Sequence, residues 1–130
     1  MTLVTSWPEP HRWPSFTVAE MACKCGCGSL PDPVFMDWLQ HVRNSFSNPM
    51  PITSGARCPA HNAAVGGAAE SAHMLGMAAD VSVSGHAAMR LIGVAHLWGV
   101  KGLGLKQHGP SRMVHLDIGP RETSTVWTYP

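Results

Sequence analysis

Between Asp32 and Asn48 the apolar residues Phe35, Trp38, Leu39, Val42 and Phe46 recur at helical spacing, which lays one buried stripe along a helix. Asp32 is placed to cap its first turn, Pro33 takes the first helical position, and Asn48-Pro49 ends it. Thr17-Val18-Ala19-Glu20 has the S/T-x-x-E form of a capping box and predicts a shorter helix before a Cys-Gly loop. Pro59 starts a third helix that runs to Gly66-Gly67. Ser84 or Gly85 leads a fourth through Leu91, Ile92, Ala95 and Trp98, closed by Gly99.

Elsewhere the pattern shortens. Pro51-Ile52-Thr53-Ser54 reads as a brief strand stopped by Gly55, and Ala79, Val81 and Val83 alternate with Asp80, Ser82 and Ser84. Two further strands are predicted around Val100–Leu105 and Met113–Ile118. Helices and short strands joined by hairpin-length loops predict an α+β fold, a small antiparallel sheet with helices packed on it. No internal repeat or low-complexity tract interrupts this order.

Composition narrows the functional classes. The chain has 130 residues, 45% of them apolar and 13% charged, a globular balance with length enough for one core. A formal net charge of +1 gives no electrostatic reason to bind nucleic acid or an anionic membrane surface. No apolar run approaches the roughly 20 residues that span a bilayer. Met1 to Pro14 carries prolines, tryptophans and charges where a secretory signal needs an apolar core, so no signal peptide is expected.

The candidate chemistry lies in Ser71-Ala72-His73-Met74-Leu75-Gly76-Met77-Ala78-Ala79-Asp80 and in Val114-His115-Leu116-Asp117. Gly76 lets the chain turn between His73 and Asp80, so that both side chains can converge. His115 sits on a predicted strand with Asp117 on the same face. Two imidazoles and a carboxylate are ligands that zinc favours, and three protein ligands with an open fourth position are the catalytic arrangement. An ion so held activates a water nucleophile and polarises a carbonyl. The cysteines form a separate question. Cys23, Cys25 and Cys27 alternate, and in an extended segment at most Cys23 and Cys27 share a side. Reduced thiols packed beside a turn, one disulfide from this loop to Cys58, and a small metal clip are all open.

The run Ile52-Thr53-Ser54-Gly55-Ala56-Arg57-Cys58-Pro59-Ala60-His61-Asn62, followed by Val65-Gly66-Gly67-Ala68, Ser71-x-His73-x-x-Gly76-x-Ala78-x-Asp80 and Val114-His115-Leu116-Asp117, resembles the zinc D-Ala-D-Ala carboxypeptidase family. That family includes phage endolysins that cut the L-Ala-D-Glu bond, and its fold is similar to lysostaphin-type peptidases and the hedgehog signalling domain. The resemblance runs from about Phe16 to Tyr129 and includes the Cys23–Gly28 loop of a short, phage-borne branch. It implies an N-terminal arm over residues 1–15 and a peptidase domain over 16–130, with His73, Asp80 and His115 holding Zn2+. It gives Arg57 a place beside the metal, gripping a substrate carboxylate or the developing oxyanion, and makes Ser71 a loop-fixing or substrate-touching hydroxyl.

In one respect the chain departs from its relatives. Many carry a glutamate three residues before the last histidine as general base; here that position is Arg112, which cannot accept a proton. His108 and Asp117 are then the candidates, His108 as proton shuttle and Asp117 either as base or as the carboxylate that orients His115. The expected activity is hydrolysis of amide bonds in peptidoglycan stem peptides. The chain is expected to act as a monomer, without nucleic acid or membrane, made in a bacterial cytoplasm and reaching the cell wall after phage-assisted release. A non-catalytic, zinc-containing peptidoglycan-binding or phage structural module of the same fold is the alternative. Asn62, His11, His41, His86 and His96 are read as structural or surface residues, and the tryptophans mostly as core or arm anchors.

Overall fold

The computed structural model describes residues 1–130, the side chain of Pro10 excepted, and its helices begin where capping residues stand. Helix α1 (Val18–Met21) opens on Thr17 with both halves of the capping box formed. Helix α2 (Pro33–Phe46) opens on Asp32, whose carboxylate accepts from Val34 N, and closes on Ser47 in the left-handed conformation. Helix α3 (Pro59–Ala64) is only six residues long and is capped by Cys58 rather than by an oxygen. Helix α4 (Gly85–Leu97) follows the second strand.

Five strands form one sheet: β1 (Ile52–Ser54), β2 (Ala78–Val81), β3 (Gly102–Lys106), β4 (Met113–Asp117) and β5 (Thr125–Thr128), in the order β1-β2-β4-β3-β5. The fold is α+β with a mostly antiparallel sheet. The departure from the all-antiparallel expectation is β5, which runs parallel to β3 at the edge.

Alternation along the strands separates two functions. Ala79 and Val81 of β2, Leu103 of β3, and Val114 and Leu116 of β4 join the core with Leu39, Val42 and Phe46 of α2 and Leu91 and Ala95 of α4. Each fully buried valine, leucine or phenylalanine among them contributes about 1.5–3 kcal/mol, and the alanines less. The N-terminal segment extends this core. Trp7 and Trp13 are buried edge to face with centroids 4.9 Å apart, and their indole nitrogens donate to Pro31 O and to Asp37.

The alternate positions carry the chemistry. Pairing sets Asp80 opposite His115, His115 opposite Gly104, and Gly104 opposite Trp127, a single row across four strands. His73 reaches this row from a 3-10 turn, Ala72–Leu75, that Gly76 closes at φ 70°. A Cβ at Gly76 would stand 2.7 Å from Asp32 N, so both conformation and space require glycine there. Among the described residues no helix is long and apolar enough to cross a membrane.

Candidate metal centre

His73, Asp80 and His115 are buried, and each offers one ligand atom within 4.8 Å of the others. His73 Nε2 lies 3.3 Å and His115 Nδ1 3.0 Å from Asp80 Oδ1. Donors on a tetrahedral zinc with bonds of about 2.0–2.1 Å stand about 3.3 Å apart. The donor set and its spacing therefore fit zinc.

The neighbours fix both tautomers. His73 Nδ1 lies 2.7 Å from Gly55 O and donates its hydrogen to that carbonyl, leaving the Nε2 lone pair toward Asp80. His115 Nε2 lies 2.7 Å from Asp117 Oδ2 and donates there, which turns Nδ1 inward. Asp117 also accepts from Gly119 N and from Arg121 Nε and Nη2, the last at 2.8 Å. A carboxylate with no exposed surface is costly to ionise unless it is so surrounded.

Without a metal the cluster is electrostatically biased. Burial alone would raise the Asp80 carboxyl, but hydrogen bonds and charge from His115 and His73 outweigh it and hold Asp80 below the usual carboxylate range. Burial likewise works against protonated His115, yet Asp117 and Asp80 together raise its pKa above the ordinary histidine value. Asp117 is lowered to about 2, because its bonds to His115 and Arg121 overcome the cost of burial.

Arg57 reaches the other oxygen of Asp80: Nη2 donates to Oδ2 at 3.2 Å, Nε to Ser54 Oγ, and Nη1 to Asn62 Oδ1. The guanidinium thus steadies Asp80 with Oδ1 turned to the two histidines. Asn62 is buried and also donates to Ala68 O, tying α3 and the following loop to the arginine. Ser71 caps the 3-10 turn, its hydroxyl accepting from His73 N.

These groups form the floor of a cavity of about 640 Å³ whose walls include Glu70, Ser71, Met113, Arg121, Trp127 and Tyr129. Gly104 makes room on the sheet, since a Cβ there would come 2.7 Å from Trp127 Nε1. The Trp127 ring lies 5.1 Å from that of His115, with the Arg121 guanidinium 5.0 Å above the indole. Burial pushes the Tyr129 phenol up, helped by Asp80 and against Arg57, so it remains a hydrogen-bond donor at neutral pH. Arg121, Glu70 and Tyr129 carry no motif in the sequence. The signal for Arg121 would have been its place four residues after Asp117.

The two proton-carrier candidates end in different places. His108 stands beyond β3, its Nε2 3.2 Å from Tyr129 O, and is not among the cavity-lining residues. The register explains this: Lys106 pairs with Met113, two pairs and about 7 Å along the strand from the Gly104–His115 pair. Asp117 is at the site, but all its visible partners are donors that hold it ionised. His41 stacks on Trp98 at 4.8 Å, and His11, His86 and His96 are exposed.

No curated protein matches the chain. A family described as Peptidase M15 matches residues 14–117, a span that contains His73, Asp80, His115, Arg57 and Asp117 and stops short of Arg121, Trp127 and Tyr129. With four-fifths of its length matched, the α+β fold and the inward-turned His-Asp-His set in agreement, the chain belongs to the Peptidase M15 family of zinc D-Ala-D-Ala carboxypeptidase type.

Proposed function

We propose that this protein is a zinc metallopeptidase that hydrolyses amide bonds in peptidoglycan stem peptides, as a D-Ala-D-Ala carboxypeptidase or an L-Ala-D-Glu endopeptidase. The observation that carries the reading is the convergence of His73, Asp80 and His115 on the floor of an open cavity with cations on its wall. Zinc bound there supplies Lewis-acid polarisation of the scissile carbonyl and a water of lowered pKa. The protein's own residues do the rest. Gly55 O and Asp117 hold the two imidazoles in their tautomers, and Arg57 holds Asp80. Arg57 and Arg121 face a space whose nearby walls are Gly66, Gly67, Ala68 and Ala72. Two guanidinium groups beside small side chains suit a substrate with carboxylates and methyl side chains, which is the chemistry of alanine- and glutamate-containing stem peptides. The Tyr129 phenol is a second donor for the developing oxyanion.

Amide hydrolysis also needs a group that accepts a proton from water and returns one to the leaving amine. Glu70 takes this role in our reading, because it is an exposed carboxylate on the cavity wall next to Ser71. Incubating purified peptidoglycan with the zinc-loaded protein should release new amino groups, detected with an amine-reactive fluorophore. Glu70→Gln should keep its zinc and lose roughly 100- to 10,000-fold in rate, the usual worth of a general base. Full activity in Glu70→Gln removes the base assignment; no amine release by the folded, zinc-loaded wild type removes the peptidase reading and favours a binding module.

A further inference from the structure

The four cysteines gather at one point, next to Arg57 in the chain and outside the cavity lining. Cys25 Sγ lies 3.4 Å from Cys23 Sγ and 3.6 Å from Cys58 Sγ, and all four sulfurs lie within 4.8 Å of one another. The expectation that Cys25 faces away assumed an extended segment. The chain instead turns, with Gly26 N donating to Cys23 O and Gly26 and Gly28 at φ 84° and 88°. Left-handed glycines break the strict alternation and put successive cysteines on one side.

From this geometry we infer that Cys23, Cys25, Cys27 and Cys58 form a second, structural zinc site. Four thiolates complete a closed tetrahedral shell, and at Zn–S bonds of about 2.3 Å the sulfurs stand about 3.8 Å apart, within the range seen here. The surroundings favour thiolates over disulfide sulfurs. Cys58 N donates to Cys23 Sγ and His61 N to Cys58 Sγ, each at 3.4 Å. Sulfur is a weak acceptor when neutral and a strong one when charged, so donors aimed at it suit a bound thiolate. No pair is within the roughly 2.05 Å of a disulfide bond, and all four cysteines are free. Metal binding releases the thiol protons to solvent and leaves no unpaired donor atom in the cluster.

The placement gives the site a purpose. Cys23, Cys25 and Cys27 follow α1, whereas Cys58 directly follows Arg57 and caps α3, the helix whose Asn62 holds the guanidinium. Ala56 N donates to Met21 O in the same place. A metal there staples the loop after α1 to the segment that aims Arg57, doing for a 130-residue chain what a disulfide does in a secreted one.

The test is metal analysis and cobalt spectroscopy of the whole chain purified with reductant. Wild type should hold about two zinc ions per chain and His73→Ala about one. The ion kept by His73→Ala should be lost in His73→Ala combined with Cys25→Ser and Cys27→Ser, two exposed positions whose change leaves the core intact. Wild type loaded with cobalt should show intense sulfur-to-cobalt charge-transfer absorption in the near ultraviolet, a reading that needs no variant. A His73→Ala protein without metal, a cobalt spectrum lacking that absorption, or a native mass short by two hydrogens per disulfide overturns the inference. None of these outcomes depends on whether the protein cleaves peptidoglycan.

Discussion

Replacing Asp117 by Asn tests whether a buried carboxylate is what holds His115 in place. Four donors converge on its two oxygens: His115 Nε2, Gly119 N, and Arg121 Nε and Nη2. An amide has one oxygen, so whichever way it turns, its NH2 meets donors on one side. Hydrogen bonds to a charged partner are worth about 1.5–3 kcal/mol each, and Arg121 recovers part of its loss from solvent. A second measure comes from protonation. Asp117 is lowered from 3.8 to about 2, a preference for the ionised folded form of about 2 kcal/mol. In metal-free protein at pH 7 the substitution should therefore cost about 2–4 kcal/mol, read by urea denaturation after chelation. The sign with pH follows from the lowered value. The carboxylate's contribution is complete above the unfolded pKa of 3.8 and is lost as pH falls through about 2, so the gap between wild type and variant should narrow below about pH 4. Zinc affinity should fall about 10- to 100-fold through the loosened His115. Equal stability at pH 7, or a gap that does not change with pH, would refute this account of Asp117.

Other substitutions reach other parts of the site. His73→Ala should lose one zinc per chain relative to wild type by atomic emission, since its Nε2 is one of three converging donors; unchanged zinc content excludes His73 as a ligand. Arg57→Lys should keep fold and zinc yet lose roughly 10- to 1000-fold in turnover, because an ammonium cannot reach Ser54, Asn62 and Asp80 at once; unchanged kcat/KM would leave it no part in the reaction. Gly104→Ala should push Trp127 off the sheet, changing its fluorescence and costing about 1–3 kcal/mol in a thermal melt; an unaltered emission spectrum would contradict the packing described.

Helices and central strands were legible in the sequence because burial on one face imposes a period. The stripe of α2, the Thr17 capping box and the four strands β1 to β4 all follow from it. Strand β5 was not legible. Its Thr125, Val126 and Thr128 are exposed, so no alternation of apolar residues marks it, and only its pairing with β3 makes it a strand. The same physics divides the site. His73, Asp80 and His115 could be named because metal-ligand types at ordered spacings are rare, and the cross-strand pair Asp80–His115 brings two of them together. Arg121, Glu70 and Tyr129 reach the cavity through tertiary placement alone, which no local pattern encodes. The cysteines misled for a local reason, since alternation holds only while the backbone is extended, and Gly26 and Gly28 end that.

The most direct test of the central claim is mass spectrometry of peptidoglycan fragments after incubation with zinc-loaded protein, with His73→Ala alongside. The account predicts that wild type shortens the stem peptides, either by one terminal alanine or by a cut between alanine and glutamate, and that His73→Ala leaves them whole. Fragments of unchanged mass in the presence of folded, zinc-loaded wild type would contradict it.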